Sequence, residues 1–109
     1  MRKARVLYKN EFAGTITQLD DGSFEFMYDN QWVNSAKPAV SLTLPVSTKV
    51  YRSLYLFPFF YNLLPEGTNK QSVCFQLRID ETDHFGILMA TAKYDTIGAV
   101  RIEKIALDE

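Results

Sequence analysis

The sixteen residues from Leu56 to Gln71, LFPFFYNLLPEGTNKQ, constrain this chain more than any other stretch. They hold an apolar helical turn, a hard stop and a fresh helix start. Pro58 suits a first helical turn, and Phe60, Leu63 and Leu64 fall at the spacing of one apolar helix face. Pro65 cannot continue that helix. Gly67 supplies conformational freedom at the bend. Thr68 and Gln71 match a capping box, in which the hydroxyl accepts from a backbone N–H and the glutamine reaches back. The spacing therefore predicts a second helix from about Asn69. Because Phe60, Leu63 and Leu64 take the inward stripe, Phe57, Phe59 and Tyr61 are expected to form an exposed apolar patch.

Upstream, Arg5 to Lys9 reads as a strand, Asn10-Glu11 as a tight turn and Phe12 to Leu19 as the hairpin partner. Asp20-Asp21-Gly22 is a turn signal. Ser23 to Tyr28 alternates strictly, with Phe24, Phe26 and Tyr28 on one side, as a half-buried strand does. Asp29 to Pro38 has no clear period and reads as a surface loop bearing Trp32, either pinned onto the sheet or free to anchor a partner. Val40 to Leu44 reads as a strand ended by Pro45, and Lys49 to Tyr55 as a short extended segment.

After the corner, the second helix places Val73, Leu77 and Cys74 on one face and ends near Ile79. Asp80-Glu81-Thr82-Asp83 offers cap residues for a third helix running to about Lys93, with Phe85, Leu88, Met89 and Ala92 inward. Tyr94-Asp95-Thr96 is expected to turn, and Ile97 to Ile105 to form a closing strand with Gly98 near its start. The fold class is α+β: residues 1–109 as a single small domain, an antiparallel meander with three short helices and a closing C-terminal strand. At 109 residues there is room for one core only.

Charge and composition narrow the function. With a net charge of −1 and its 12 basic residues scattered, the chain has no stripe to neutralise a run of phosphates, which argues against direct nucleic-acid binding. The longest basic cluster, Arg2-Lys3-Ala4-Arg5, leads directly into a strand and not into the apolar region of a signal peptide. No apolar run approaches the ~20 residues of a membrane helix. A lone cysteine, Cys74, fits a reducing compartment, so a cytoplasmic location is expected. Eight Phe and six Tyr are enough for a core with an aromatic contact face besides.

No catalytic constellation assembles. His84 and Cys74 are the single representatives of their types, and they fall in different expected helices. One His and one Cys do not make a zinc site. The carboxylates lie at turns, at a helix start and at the terminus, and the isolated glycines form no phosphate cradle. The chain is expected to be no enzyme and to need no cofactor or metal.

The corner, followed by Asp83-His84-Phe85-Gly86-Ile87-Leu88 and then Asp95-Thr96-Ile97-Gly98-Ala99-Val100, resembles the N-terminal subdomain of HipA-type toxin kinases. That group pairs an F-F-x-N-L-L-P-(E/D)-G corner with a D-x-F-x-L-L helix and a D-x-x-G-A-(L/V) segment, and the resemblance covers nearly the whole chain. HipA-type kinases continue into a kinase core, whereas this sequence ends at Glu109, as in the stand-alone HipS-like antitoxins of three-component systems. The resemblance implies an antitoxin that binds and neutralises a HipA-type serine/threonine kinase in trans. Its alternative is a non-inhibitory assembly subunit of that kinase and a HipB-like helix-turn-helix protein. Partner binding is expected at Phe57, Phe59, Tyr61, Pro65, Glu66, Gly67, Thr68 and Trp32. HipS-like chains can carry a bulky aromatic plug after Pro-Glu-Gly. Here that position is Thr68, which either serves the partner or caps its helix.

Overall fold

The computed structural model describes residues 1–92 and 99–105. Strands β1 (Arg2–Tyr8) and β2 (Glu11–Gln18) form the first hairpin. Its loop is Lys9-Asn10, with φ of 49° and 67°, because Glu11 already pairs with Tyr8. Two central residues at positive φ give the turn whose twist matches the flanking strands, so the turn sits one residue earlier than the sequence suggested. The register slips between Val6 and Leu7, which pair with Gly14 and Phe12 and leave Ala13 as the extra residue of a bulge. Gly14 is obligatory there, since a Cβ would sit 2.4 Å from the Met27 carbonyl oxygen.

The Asp20-Asp21-Gly22 turn forms as expected. Gly22 has φ of 88°, and the Asp21 carboxylate accepts from the Ser23 N–H at 2.9 Å. Strand β3 (Phe24–Tyr28) buries Phe24, Phe26 and Tyr28 and turns Met27 outward.

The next two segments depart from the sequence reading. Residues expected to loop from Asp29 to Pro38 contain a helical turn, α1 (Asn30–Asn34), capped by the Asp29 side chain on the Gln31 N–H. One turn carries a single inward residue, Trp32, so it leaves no periodicity to read. Val40 to Leu44 is no strand but a run of bends and turns. Val40 and Leu44 are buried all the same, and the Tyr28 hydroxyl supplies the hydrogen bonds a strand neighbour would have given. It accepts from the Val40 N–H at 3.1 Å and donates to the Leu44 carbonyl at 2.5 Å. The place beside β3 is taken by β4 (Val50–Ser53), within the expected extended segment.

Among the described residues the sheet has the order β4-β3-β2-β1-β5, antiparallel throughout, with β5 (Val100–Ile105) closing it against β1. Helices α2 (Pro58–Tyr61), α3 (Gly67–Leu77) and α4 (His84–Thr91) complete the α+β fold. Val6, Ile16, Phe26 and Ile102 of the sheet share one buried cluster with Phe60 of α2 and with Phe85, Ile87 and Leu88 of α4. Helix α4 buries Phe85, Leu88, Met89 and Ala92 as its spacing predicts. Lys93, the expected turn at Tyr94-Asp95-Thr96 and the strand start at Ile97-Gly98 lie outside the described residues. Among the described residues no helix is long and apolar enough to cross a membrane.

Helix α3 corrects two expectations. It begins at Gly67, whose φ of 56° turns the chain in one residue, so Glu66 takes the N-cap position and no side chain caps it. Thr68 is already inside the first turn, and the Thr68–Gln71 capping box does not form. The face expected to bury Val73, Cys74 and Leu77 buries Cys74 alone; Val73 is half-buried and Leu77 is 51% exposed. Side chains of α2 and α4 already fill the core cluster, and α3 contributes only Cys74 to it.

Candidate partner-binding surface

The corner divides its aromatics differently from the sequence reading. Phe57, expected on the surface, is a core residue at 7% exposure. Phe59 is half-buried, with its ring 5.1 Å from Phe60. Only Tyr61 of the three is open, at 47%. The reason is the brevity of α2: in four residues Phe57, as N-cap, and Phe60 fall on the same side, where Phe60 meets Phe26 at 5.5 Å and Phe57 at 6.3 Å. Trp32 also leaves the expected surface. It is buried, its Nε1 donates to the Pro38 carbonyl at 2.9 Å, and its ring stands edge-on to Tyr8.

What the structure gathers around Tyr61 was only partly visible in the sequence. Leu54 and Tyr55, in the loop after β4, are 77% and 78% exposed, and with Tyr61, Thr82 and His84 they line a groove of about 280 Å³ floored by Phe24. The Tyr61 and His84 rings meet edge to face at 5.2 Å. A signal was present: Leu54-Tyr55-Leu56-Phe57 is a run of four apolar residues, and an extended chain cannot turn four successive side chains inward. Leu56 and Phe57 went in, and Leu54 and Tyr55 stayed out.

Tyr61 also lines a second, smaller hollow with Pro65, Glu66, Gly67 and Lys70. Glu66, Gly67 and Thr68, all expected to bind a partner, are exposed in the turn between α2 and α3, with Pro65 half-buried before them. Thr68 lines a third hollow along α3, as does Phe75, itself 86% exposed. Leu54, Tyr55 and Tyr61 thus gather at one groove, while Phe75 stands exposed at a separate hollow along α3.

The start of α4 is anchored from the far side of the chain. Arg2 reaches Asp83 through two contacts of 3.1 and 2.6 Å, holds Gln18 through Nε at 2.9 Å, and lies 5.3 Å from the centre of the Phe85 ring. Asp83 caps α4 by accepting from the Gly86 N–H at 3.1 Å. The Arg2 hydrogen bond, helped by that N–H, holds the Asp83 carboxyl below the usual carboxylate value. Asp21 and Asp80 are likewise lowered, chiefly by the hydroxyls of Ser23 and Thr82. Burial pushes the Tyr28 phenol up.

Residues 4–103 match the profile of a family described as the HipA N-terminal domain. A curated protein of Haemophilus influenzae Rd, described as uncharacterised, is 32% identical over 104 residues, which cover 95% of this chain and 93% of that protein. Among solved structures, an N-terminal domain of HipA toxin superposes with a TM-score of 0.75 at 29% identity, over 99% of this chain and 96% of that one.

Proposed function

The chain belongs to the HipA N-terminal domain family, and from that membership we propose that it is an antitoxin-like subunit, without catalytic activity, that binds a HipA-type toxin kinase in trans and neutralises it in the cytoplasm. The observation that carries this reading is the exposed cluster of Leu54, Tyr55 and Tyr61 around one groove beside the corner. A domain that packs within one chain uses an interface of roughly 600–1,500 Å². As a separate subunit it presents that surface to a partner. The Haemophilus relative supports the separate-chain arrangement, because 93% of its length is this domain and a kinase core does not fit in the remainder.

Neutralisation works through the Pro65-Glu66-Gly67-Thr68 turn, in which Glu66, Gly67 and Thr68 are exposed. Glu66 is its reachable charge and can pair with a basic group of a kinase cleft. The test is a phosphorylation assay on a HipA-type kinase chain, with binding measured in parallel. The intact chain should suppress phosphorylation, Glu66→Lys should weaken suppression about ten-fold, and Thr68→Trp should preserve or strengthen it. Binding without suppression would convert the reading to an assembly subunit, acting with a HipB-like helix-turn-helix protein. Absence of binding would remove the kinase reading.

A further inference from the structure

We infer that the open edge of β4 takes an added β-strand, an extended, uncharged and apolar segment of the partner chain; this rests on the kinase-binding reading and says how part of that partner is held. The Tyr28 N–H donates to the Lys49 carbonyl at 2.9 Å, one step beyond the Met27–Val50 pair in the β3–β4 register. Hydrogen-bonded pairs of an antiparallel ladder recur at every second residue, so Tyr51 and Ser53 turn their backbone toward β3. Val50 and Arg52 then aim theirs away from the sheet. Among the described residues nothing takes up those two N–H and two C=O groups.

The opposite edge of the sheet is treated differently. On β5 the Ile102 N–H donates to the Ala92 carbonyl at 2.6 Å, so the end of α4 closes that side. Sheets blunt a bare edge with proline, lysine, bulges or a covering element. Strand β4 contains no proline or lysine, its register against β3 runs without a bulge, and its one charge, Arg52, is neutralised by Glu25 at 3.1 Å. The flanking Lys49 is turned back onto the Asn30 side-chain carbonyl. Val50, 39% exposed, lies beside Met27, 40% exposed, so the edge carries an apolar rim. Ser53 is followed directly by Leu54 and Tyr55 of the groove, which makes the edge continuous with the proposed contact surface.

The main chain selects the occupant. A row of alternating N–H and C=O groups is matched by another extended backbone, and side chains then discriminate through the face they meet. With Arg52 and Glu25 paired, the edge favours neither an acidic nor a basic segment, and the Val50–Met27 rim favours an apolar side chain. A second copy of this chain fits less well, because two β4 edges set antiparallel bring four residues a side. A stable interface uses roughly 20–30 a side. A kinase segment needs no such area of its own, since it adds to a contact already made at the corner.

The test is residue-resolved amide hydrogen exchange on the full chain, alone and with a HipA-type kinase chain. Alone, the Val50 and Arg52 amides should exchange fast and the Tyr51 amide slowly. In the complex both fast amides should slow at least about ten-fold. Val50→Pro removes one outward N–H at the first residue of a strand, where proline is tolerated. It should bind the kinase at least about ten-fold more weakly while its melting temperature stays within a few degrees of the parent. Val50→Ala keeps that N–H and should bind closer to the parent than to the proline variant. If Val50→Pro does not fold, exchange on the parent decides alone. Val50 and Arg52 amides that stay fast in a formed complex, or a folded Val50→Pro that binds like the parent, would overturn the inference and leave the kinase reading standing. So would slow exchange of both amides in the free chain together with a doubled mass, which assigns the edge to a second copy. A kinase chain that does not bind the parent removes both readings.

Discussion

Replacing Phe60 and Tyr61 separately by alanine should give opposite results, although the two residues are adjacent and both aromatic. Phe60 is fully buried and meets Phe26, Phe57 and Phe59 with ring centroids 5.1–6.3 Å apart. Truncating a buried phenylalanine costs about 3–5 kcal/mol, from lost transfer energy and the cavity left behind. Three aromatic contacts place this site at the upper half of that range. For a chain of this size each kcal/mol shifts the midpoint by about 4–5 °C, so Phe60→Ala should melt roughly 16–25 °C lower. Tyr61 is 47% exposed, and its main ring contact is the edge of His84. Its truncation should cost about 0.5–1 kcal/mol, a few degrees at most. Binding should show the reverse. Tyr61→Ala should weaken a HipA-type kinase partner at least about ten-fold, or ~1.4 kcal/mol. Thermal unfolding followed by circular dichroism supplies the first comparison and calorimetric titration the second. If Tyr61→Ala unfolds the domain as severely as Phe60→Ala, the division of the corner into core and contact residues is wrong.

Asp83→Ala should cost about 1–2 kcal/mol in denaturant unfolding, because it removes the cap on α4 and the partner of Arg2. The sign with pH follows from the lowered Asp83 pKa: the contribution is complete above the ordinary value of 3.8 and drains away as pH falls below it toward the native value. Asp83→Asn should therefore lose less stability than the parent on acidification through that range; an unchanged acid profile would show that Asp83 does not set it. Gly86→Ala should disrupt the same cap, since a Cβ there would lie 2.3 Å from Asp83 Oδ2, and an amide-exchange protection of α4 equal to the parent's would refute this. Gly14→Ala should destabilise by about 1–3 kcal/mol through its clash with the Met27 carbonyl, measured by denaturant midpoint. Trp32 should emit at blue-shifted wavelength in the free chain and change little on adding the kinase, because it is buried and its indole N–H is already bonded within the domain.

Local chemistry in the sequence determined the parts of this protein whose partners are near in the chain. The alternation of Phe24, Phe26 and Tyr28 fixed which side of β3 is buried, and Asp20-Asp21-Gly22 fixed the turn before it. The spacing of Phe85, Leu88, Met89 and Ala92 fixed the inward face of α4. Pro58 and Pro65 bounded the corner, and the motif they belong to carried the family. Each of these signals is a steric or periodic rule acting over a few residues. Of the candidate surface, the exposed turn from Glu66 to Thr68 and the exposure of Tyr61 were legible in this way.

Competition for places was decided only in three dimensions. Val40 to Leu44 has the composition of a strand, but β4 occupies the edge beside β3 and the Tyr28 hydroxyl satisfies the displaced backbone instead. Val73 and Leu77 have the spacing of a buried helix face, yet α2 and α4 had already filled the core, leaving α3 only Cys74 to bury. Phe57 and Trp32 moved inward, the one by the shortness of α2 and the other by the Pro38 carbonyl that takes up its N–H. The groove is the clearest case. Phe24, Tyr55, Tyr61 and His84 come from four separate segments, and their convergence is a property of the packed sheet and helices that no spacing along the chain encodes.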